Sequence, residues 1–369
     1  MRKLTTGMAM RFALVFLICA PAFAHEIGTI RVNAEFQKGG TYRISMVADP
    51  ETLLPRLELA AGQPLSGSHP AEENERRIVA LQRVLLDHVT IKFDGVRVTP
   101  RFEYLPLANG STYSTSGQAA MMRFSGEVPP KARSFAWSYS LIYSSYALLT
   151  SQPGDSEPLQ QWLEADQESK PLKLNEASIP PTRLQVARQY LLLGYTHIVP
   201  KGLDHILFVL GIFLLNTRIR SILAQVTAFT VAHSITLGLT IYGVVSLSPR
   251  IVEPLIALSI AYVAIENLTT SELKPWRIVI VFIFGLLHGM GFAGVLRDLG
   301  LPRSEFLTAL VTFNVGVELG QLSVIAVASL LVARWFHERV WYRRHIVVPA
   351  SVVIALTGLY WTVTRIAGI

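Results

Sequence analysis

Between Gly194 and Leu215 the chain reads GYTHIVPKGLDHILFVLGIFLL. The stretch is apolar enough to enter a bilayer, yet it holds His197, Lys201, Asp204 and His205, and Pro200-Lys201-Gly202 interrupts it. Ionisable groups at membrane depth cost on the order of a few kcal/mol each, so they are kept for pairing or for function. A proline and a glycine inside a span free backbone groups that must be satisfied by a cavity or a neighbouring segment. In a continuous helix His197 and Asp204, seven positions apart, share a face, and His205 lies beside them. Two imidazoles and a carboxylate so close together make half of a site for a divalent metal ion.

Later apolar runs carry matching groups. FTVAHSITLGLT supplies His233 and Ser234; Ser259 and Glu266 lie seven apart in the next run, with Asn267 beside Glu266; FGLLHGMGFAG supplies His288. FNVGVELGQ places Asn314, Glu318 and Gln321 on one helix face. The pairs Gly285/Gly289 and Gly316/Gly320 are G-x-x-x-G motifs that permit close helix approach. They are expected to draw the fourth and fifth runs together and to bring His288 to Glu318. The expected site is therefore His197, Asp204, His205, His233, His288 and Glu318, with Ser234, Glu266, Asn314 and Gln321 as secondary candidates.

Each residue has a plainer alternative. His233 can simply hydrogen-bond a serine or a carbonyl, Asp204 can neutralise Lys201, and Glu266 can be solvated at a span end. The threonines can bond their own helix. Four histidines and three acids spread over five runs favour a site over separate accidents, although a proton relay has the same composition. Imidazole with carboxylate and no thiolate suits nickel, cobalt, zinc or iron(II). The one cysteine, Cys19, lies in the leader described next.

These residues must be positioned by a membrane helical bundle. Six runs are long enough for a bilayer of about 30 Å: Tyr190–Leu215, Ile222–Val245, Ile251–Leu268, Ile278–Leu296, Phe306–Trp335 and Ile346–Ala367. The sixth has no ionisable residue in its apolar stretch, Arg365 standing at its end, and reads as structural. Ahead of the runs, residues 1–24 read as a signal peptide: basic Arg2, Lys3 and Arg11, a short apolar core, and Ala22-Phe23-Ala24 for cleavage. Cleavage exposes His25, whose amine and ring together can chelate metal. Residues 25–150 read as a β-rich, sandwich-like extracytoplasmic domain. Its strongest hairpin signal is Asp94-Gly95 between two apolar strands, and Glu73–Leu86 has a helical period. Residues 151–182, polar and proline-bearing, read partly as linker and partly as the last domain edge. Residues 183–369 form the membrane part, which Arg183–Tyr190 opens as an amphipathic surface segment.

The net charge of +7 invites a nucleic-acid reading. The basic residues of the membrane part instead fall largely in short loops: Arg218, Arg220, Lys274, Arg277, Arg334, Arg339, Arg343 and Arg344 on one side, against Arg250, Arg297, Arg303 and Arg365 on the other. That asymmetry follows the positive-inside rule, with both mature termini outside, and removes the need for a nucleic-acid partner.

Taken in order, GYTHIVPKGLDHILF, AHSITL, FGLLHGMGFA and FNVGVELGQ resemble the HupE/UreJ family of membrane proteins, in the subgroup with an added outer domain. The resemblance covers about Tyr190 to the end. It implies a nickel or cobalt permease, or an accessory protein of hydrogenase or urease maturation, in the inner membrane of a bacterium with the outer domain in the periplasm. It also implies that His197, Asp204 and His205 select the metal. Nickel–cobalt transporters carry a tighter His/Asp-His spacing than the six residues found here. Two other classes stay open: an intramembrane zinc hydrolase, kept in view by Ser234 beside His233, and a tethered binding module whose outer domain does the work. No H-E-x-x-H helix is present.

Overall fold

The computed structural model describes residues 31–107, 119–141, 145–155, 157–174, 176, 181–215, 218–245, 247–272, 274–298, 305–333 and 341–367. The expected signal peptide and His25 lie outside the described residues, as do Arg303, Arg334 and Arg339. Two compact units emerge, one built on Glu26–Thr182 and the other on Arg183–Leu296 with Arg303–Ile369.

The first unit is β-rich. β1 (Arg31–Phe36) and β2 (Thr41–Ala48) form an antiparallel hairpin with Phe36 opposite Tyr42. Their side chains alternate between buried and open, the period of two that one solvated face imposes. Three helices follow: α1 (Pro50–Ala60), α2 (Ala71–Ala80) and α3 (Gln82–His88). The helical period expected over 73–86 is thus split at Leu81. β3 (Val89–Phe93) and β4 (Val96–Val98) meet at Asp94-Gly95. Both turn residues have positive φ, 48° and 81°, as a two-residue hairpin turn requires. The Asp94 carboxylate accepts N–H bonds from Arg133 and Ser134, and these donors hold its carboxyl below the usual carboxylate range.

Then come β5 (Arg101–Leu107), β6 (Ala119–Glu127), β7 (Ser134–Tyr139), β8 (Ser145–Ser151), β9 (Leu159–Glu164) and β10 (Leu172–Lys173). One sheet has the order β5-β6-β2-β1-β8-β9, the other β10-β7-β3-β4, and β1 pairs with β8 in parallel. The two sheets meet through aromatic rings: Phe36 lies edge-on to Phe135 at 5.0 Å, and Phe124 lies 6.1 Å from Trp137. Leu53, Leu57, Ile78 and Leu85 of the helices complete the same core. β9 and β10 lie within 151–182, so part of that stretch serves as domain edge.

The second unit is helical: α4 (Arg183–Ile198), α5 (Leu203–Leu215), α6 (Ile219–Ile241), α7 (Pro249–Thr269), α8 (Arg277–Asp298), α9 (Phe306–Ala328) and α10 (Val348–Ala367). Short π-helical turns, Ser329–Ala333 and Arg343–Val347, extend α9 and precede α10. Among the described residues, four segments are long and apolar enough to cross a bilayer: Ile219–Ile241, Pro249–Thr269, Phe306–Val332 and Arg343–Ala367. α4 and α5, bent by 69° at their junction, make a fifth if taken as one span. α8, apolar over Arg277–Phe292, is shorter by the same measure. The segment Arg183–Tyr190 is continuous with α4 and buries Val186 and Tyr190.

The glycines seat these helices, but not in the pairing expected. A Cβ at Gly316 would come within 2.1 Å of the Leu191 carbonyl oxygen, and one at Gly320 within 2.7 Å of Ile198, so α9 packs on α4. Gly194 answers from the other side, where a Cβ would stand 1.9 Å from the Phe313 oxygen. Gly285 and Gly289 instead face α6, where a Cβ would stand 2.5 Å from the Phe229 oxygen and 2.4 Å from the His233 oxygen respectively. The two motifs therefore do not pack α8 onto α9. A small-residue patch permits close approach by any backbone and does not name its partner.

Candidate metal centre

His197 stands in the last turn of α4, His205 in the first turn of α5, and the break between them is what turns their rings together. Gly202 makes the fold-back possible, because a Cβ there would stand 2.2 Å from the His197 carbonyl oxygen. The backbone of the break is largely self-satisfied: Val199 N–H donates to Tyr195, Gly202 N–H to Ile198, and Ile206 N–H to Gly202. The His197 and His205 ring centroids are 4.8 Å apart. His233 of α6 lies 6.2 Å from the first and 6.1 Å from the second. His288 of α8 lies 5.0 Å from His205. One donor nitrogen from each of His197, His205 and His233 can be chosen so that all lie within 4.8 Å of one another. Two nitrogens on one tetrahedral ion stand roughly 3.3 Å apart at metal–nitrogen distances near 2.0–2.1 Å, so the set is wider than a bound ion would hold it and the rings would have to draw in.

All four imidazoles are buried, and each holds a nitrogen with no hydrogen-bond partner: both nitrogens of His197, and Nε2 of His205, His233 and His288. Buried polar atoms are rarely left unsatisfied, because each costs about 1–3 kcal/mol. Four such rings in one cluster fit a site for a cation. Two tautomers follow from the partners. The Phe284 carbonyl can only accept, so His288 Nδ1 carries the proton at 2.8 Å and Nε2 keeps its lone pair. Asn314 donates its amide N–H to Leu310 at 2.8 Å, which turns its oxygen toward His233 Nδ1 at 3.1 Å. His233 Nδ1 therefore donates, and its Nε2 is also a free base. This is the orienting hydrogen bond that metal-binding histidines use.

Aromatic rings wall the cluster. Phe292 lies 4.0 Å from the His197 ring, Phe313 stacks on Phe292 at 5.1 Å, and Phe208 and Phe229 flank His288. Such a wall keeps water out and strengthens any charge interaction inside.

The carboxylates are engaged elsewhere. Asp204 accepts from Arg365 Nη2 at 2.9 and 3.0 Å, not from Lys201 three positions away as the plainer alternative had it. The continuous-helix alignment of His197 with Asp204 does not occur, because the 69° bend turns the start of α5 away from the axis of α4. Glu318 accepts from Thr227 at 2.8 Å. Of the secondary candidates, Asn314 orients His233, Gln321 accepts from Thr230 at 3.2 Å, and the Ser234 hydroxyl donates to the Thr230 carbonyl of its own helix at 2.7 Å. Glu266 pairs with Arg277 at 3.0 Å. Arg277 also reaches Asn267 and the Gly211 carbonyl, and Arg343 bonds the Asn267 and Thr270 carbonyls at the end of α7. Arg343, counted as a loop charge, thus neutralises the carbonyl end of α7, while Arg277, counted with it, is a buried partner of Glu266.

A family described as HupE / UreJ protein matches residues 173–365 of this chain. The chain belongs to the HupE/UreJ family. No curated protein and no solved structure gave a match. In this HupE/UreJ chain the matched region holds every helix that contributes to the imidazole cluster, and its apolar helices are those of a multi-pass membrane protein. The family points to a metal-transport or accessory role. Two features of the centre were not read from sequence: Arg365 as the partner of Asp204, and Phe292 and Phe313 as its walls. An arginine closing the last apolar run was the available signal for the first; the phenylalanines carry none, since apolar runs are full of them.

Proposed function

We propose that this protein is a membrane permease for a divalent transition metal of the nickel–cobalt type, or the metal-binding accessory that supplies such an ion to an enzyme under assembly. The observation that carries the reading is the set of buried imidazole nitrogens without partners, gathered from α4, α5, α6 and α8 beside a helix break. His197, His205 and His233 are the proposed ligands, with His288 in reach of His205. Neutral imidazole donors suit nickel, cobalt, zinc and iron(II), and a broken helix at the site is how many transporters build a transient binding step. The reading takes α4 with α5 as the first of six spans and α8 as the fourth. α8 has 22 residues, which span about 33 Å at 1.5 Å per residue. The inner membrane, with the β-rich unit in the periplasm, agrees with the loop charges and the leader. Zinc-dependent hydrolysis has less support, since Ser234 is bonded to its own helix and the acids Asp204 and Glu318 are engaged by Arg365 and Thr227.

Cells producing the full chain are expected to differ from cells with the empty vector in nickel or cobalt accumulation, and the difference should vanish for His197→Ala. Equal accumulation of all four divalent metals with and without the protein would remove the permease reading.

A further inference from the structure

Three neutral imidazoles do nothing to balance the charge of a dication. The nearest acid in sequence is Asp204, immediately before His205 in the first turn of α5. Its carboxylate already has a cation: Arg365 Nη2 stands 2.9 and 3.0 Å from its two oxygens. The side chains are 19% and 5% exposed, so solvent does little to screen the pair. Arg365 is also held independently of Asp204. Its Nη1 donates to the Glu253 carbonyl on α7 at 3.0 Å, and its guanidinium lies 5.4 Å from the Trp361 ring one turn earlier on α10.

We propose that Arg365 is a resident counter-cation of the metal route, and that a divalent ion reaching the imidazoles takes Asp204 from it. This deepens the permease reading and rests on it. With the pair closed, Asp204 and Arg365 sum to zero, and a bound dication would leave two uncompensated charges in an apolar surround. With the pair open the total is unchanged, but the carboxylate offsets one of the ion's charges directly and the surplus positive charge rests on Arg365, against the Glu253 carbonyl and Trp361. A dication attracts the carboxylate twice as strongly as a guanidinium at equal distance, so the arriving ion competes for it. Arg365 keeps the Glu253 carbonyl and Trp361 while it waits, so opening does not strand a bare guanidinium. When the metal leaves, the same guanidinium reclaims Asp204. Such exchange keeps binding from becoming so tight that release fails. Arg365 is in this sense a positioning residue, acting on the metal through Asp204.

The test measures nickel dissociation constants on the purified full chain, in four forms: parent, Arg365→Gln, Asp204→Asn, and both together. Removing the competitor is expected to tighten nickel binding about tenfold when Asp204 is present, within the range of ordinary site-to-site coupling. On the Asp204→Asn background the same change should leave affinity as it was. Arg365→Lys should tighten binding by less, since an ammonium still competes, and it serves as the test if Arg365→Gln does not purify. Unchanged or weaker binding in Arg365→Gln, with a lower melting temperature, would mean a merely structural pair and overturn the exchange. So would equal tightening on both backgrounds, which would mean simple repulsion between Arg365 and the metal. Either result leaves the permease reading standing if the parent binds nickel. A parent that binds neither nickel nor cobalt removes that reading, and the exchange with it.

Discussion

His197→Leu is expected to abolish tight binding of nickel or cobalt while leaving the metal-free protein at least as stable as the parent. The two effects have one cause. Both ring nitrogens of His197 are buried without a hydrogen-bond partner, and the ring is packed against Phe292 and Phe313. An apolar side chain in that place removes two unsatisfied polar atoms, each a burden of about 1–3 kcal/mol, and keeps much of the contact area. Loss of a ligand should weaken metal binding by at least the ~100-fold seen at the upper end for groups that merely orient ligands. Asn314→Ala, which frees His233 Nδ1, should cost about 10–100-fold by that same orienting effect. Calorimetric metal titration and thermal unfolding of the purified variants check both halves. A histidine kept for structure gives the opposite pattern, with lower stability and unchanged metal affinity.

The second large effect is expected far from the cluster. Arg277→Met should sharply lower the amount of folded protein, because it leaves Glu266 as an unpaired charge in an apolar surround. Arg277 is 1% exposed and Glu266 10%, and their contact is 3.0 Å. Breaking such a buried pair from one side costs about 3–5 kcal/mol. Replacing both partners, as Arg277→Met with Glu266→Gln, should recover most of the loss. Arg277 lies eleven residues before His288 on α8, about 16 Å along the helix axis. Protein that does fold should therefore bind nickel as the parent does. Detergent-solubilised yield and thermal unfolding measure the first point, and nickel stoichiometry the second. Equal yields of the single variant and the parent would show that water reaches Glu266.

Why some of this was legible in the sequence and some not follows from what each signal encodes. The histidines stood out because imidazole is rare and costly in an apolar run, and the structure gathers His197, His205, His233 and His288. The polar face Asn314–Glu318–Gln321 was read from helical period, and all three residues meet α6 through His233, Thr227 and Thr230. The Asp94-Gly95 hairpin was readable because only a few residues accept two successive positive φ angles. Partners distant in sequence were not readable. Asp204 and Arg365 are 161 positions apart, and nothing local to either names the other. Gly285 and Gly316 mark close approach without saying to what. The bend after His197 changed the facing of Asp204, since a seven-residue spacing aligns side chains only while the helix continues.

X-ray absorption at the nickel edge of the metal-loaded, purified protein tests the buried imidazole site most directly. One nickel per chain is expected, with nitrogen or oxygen neighbours only, the outer-shell scattering of at least three imidazoles, and loss of that signal in His205→Ala. A protein that retains no nickel, or one whose spectrum shows water and carboxylate oxygens without imidazole scattering, would contradict it.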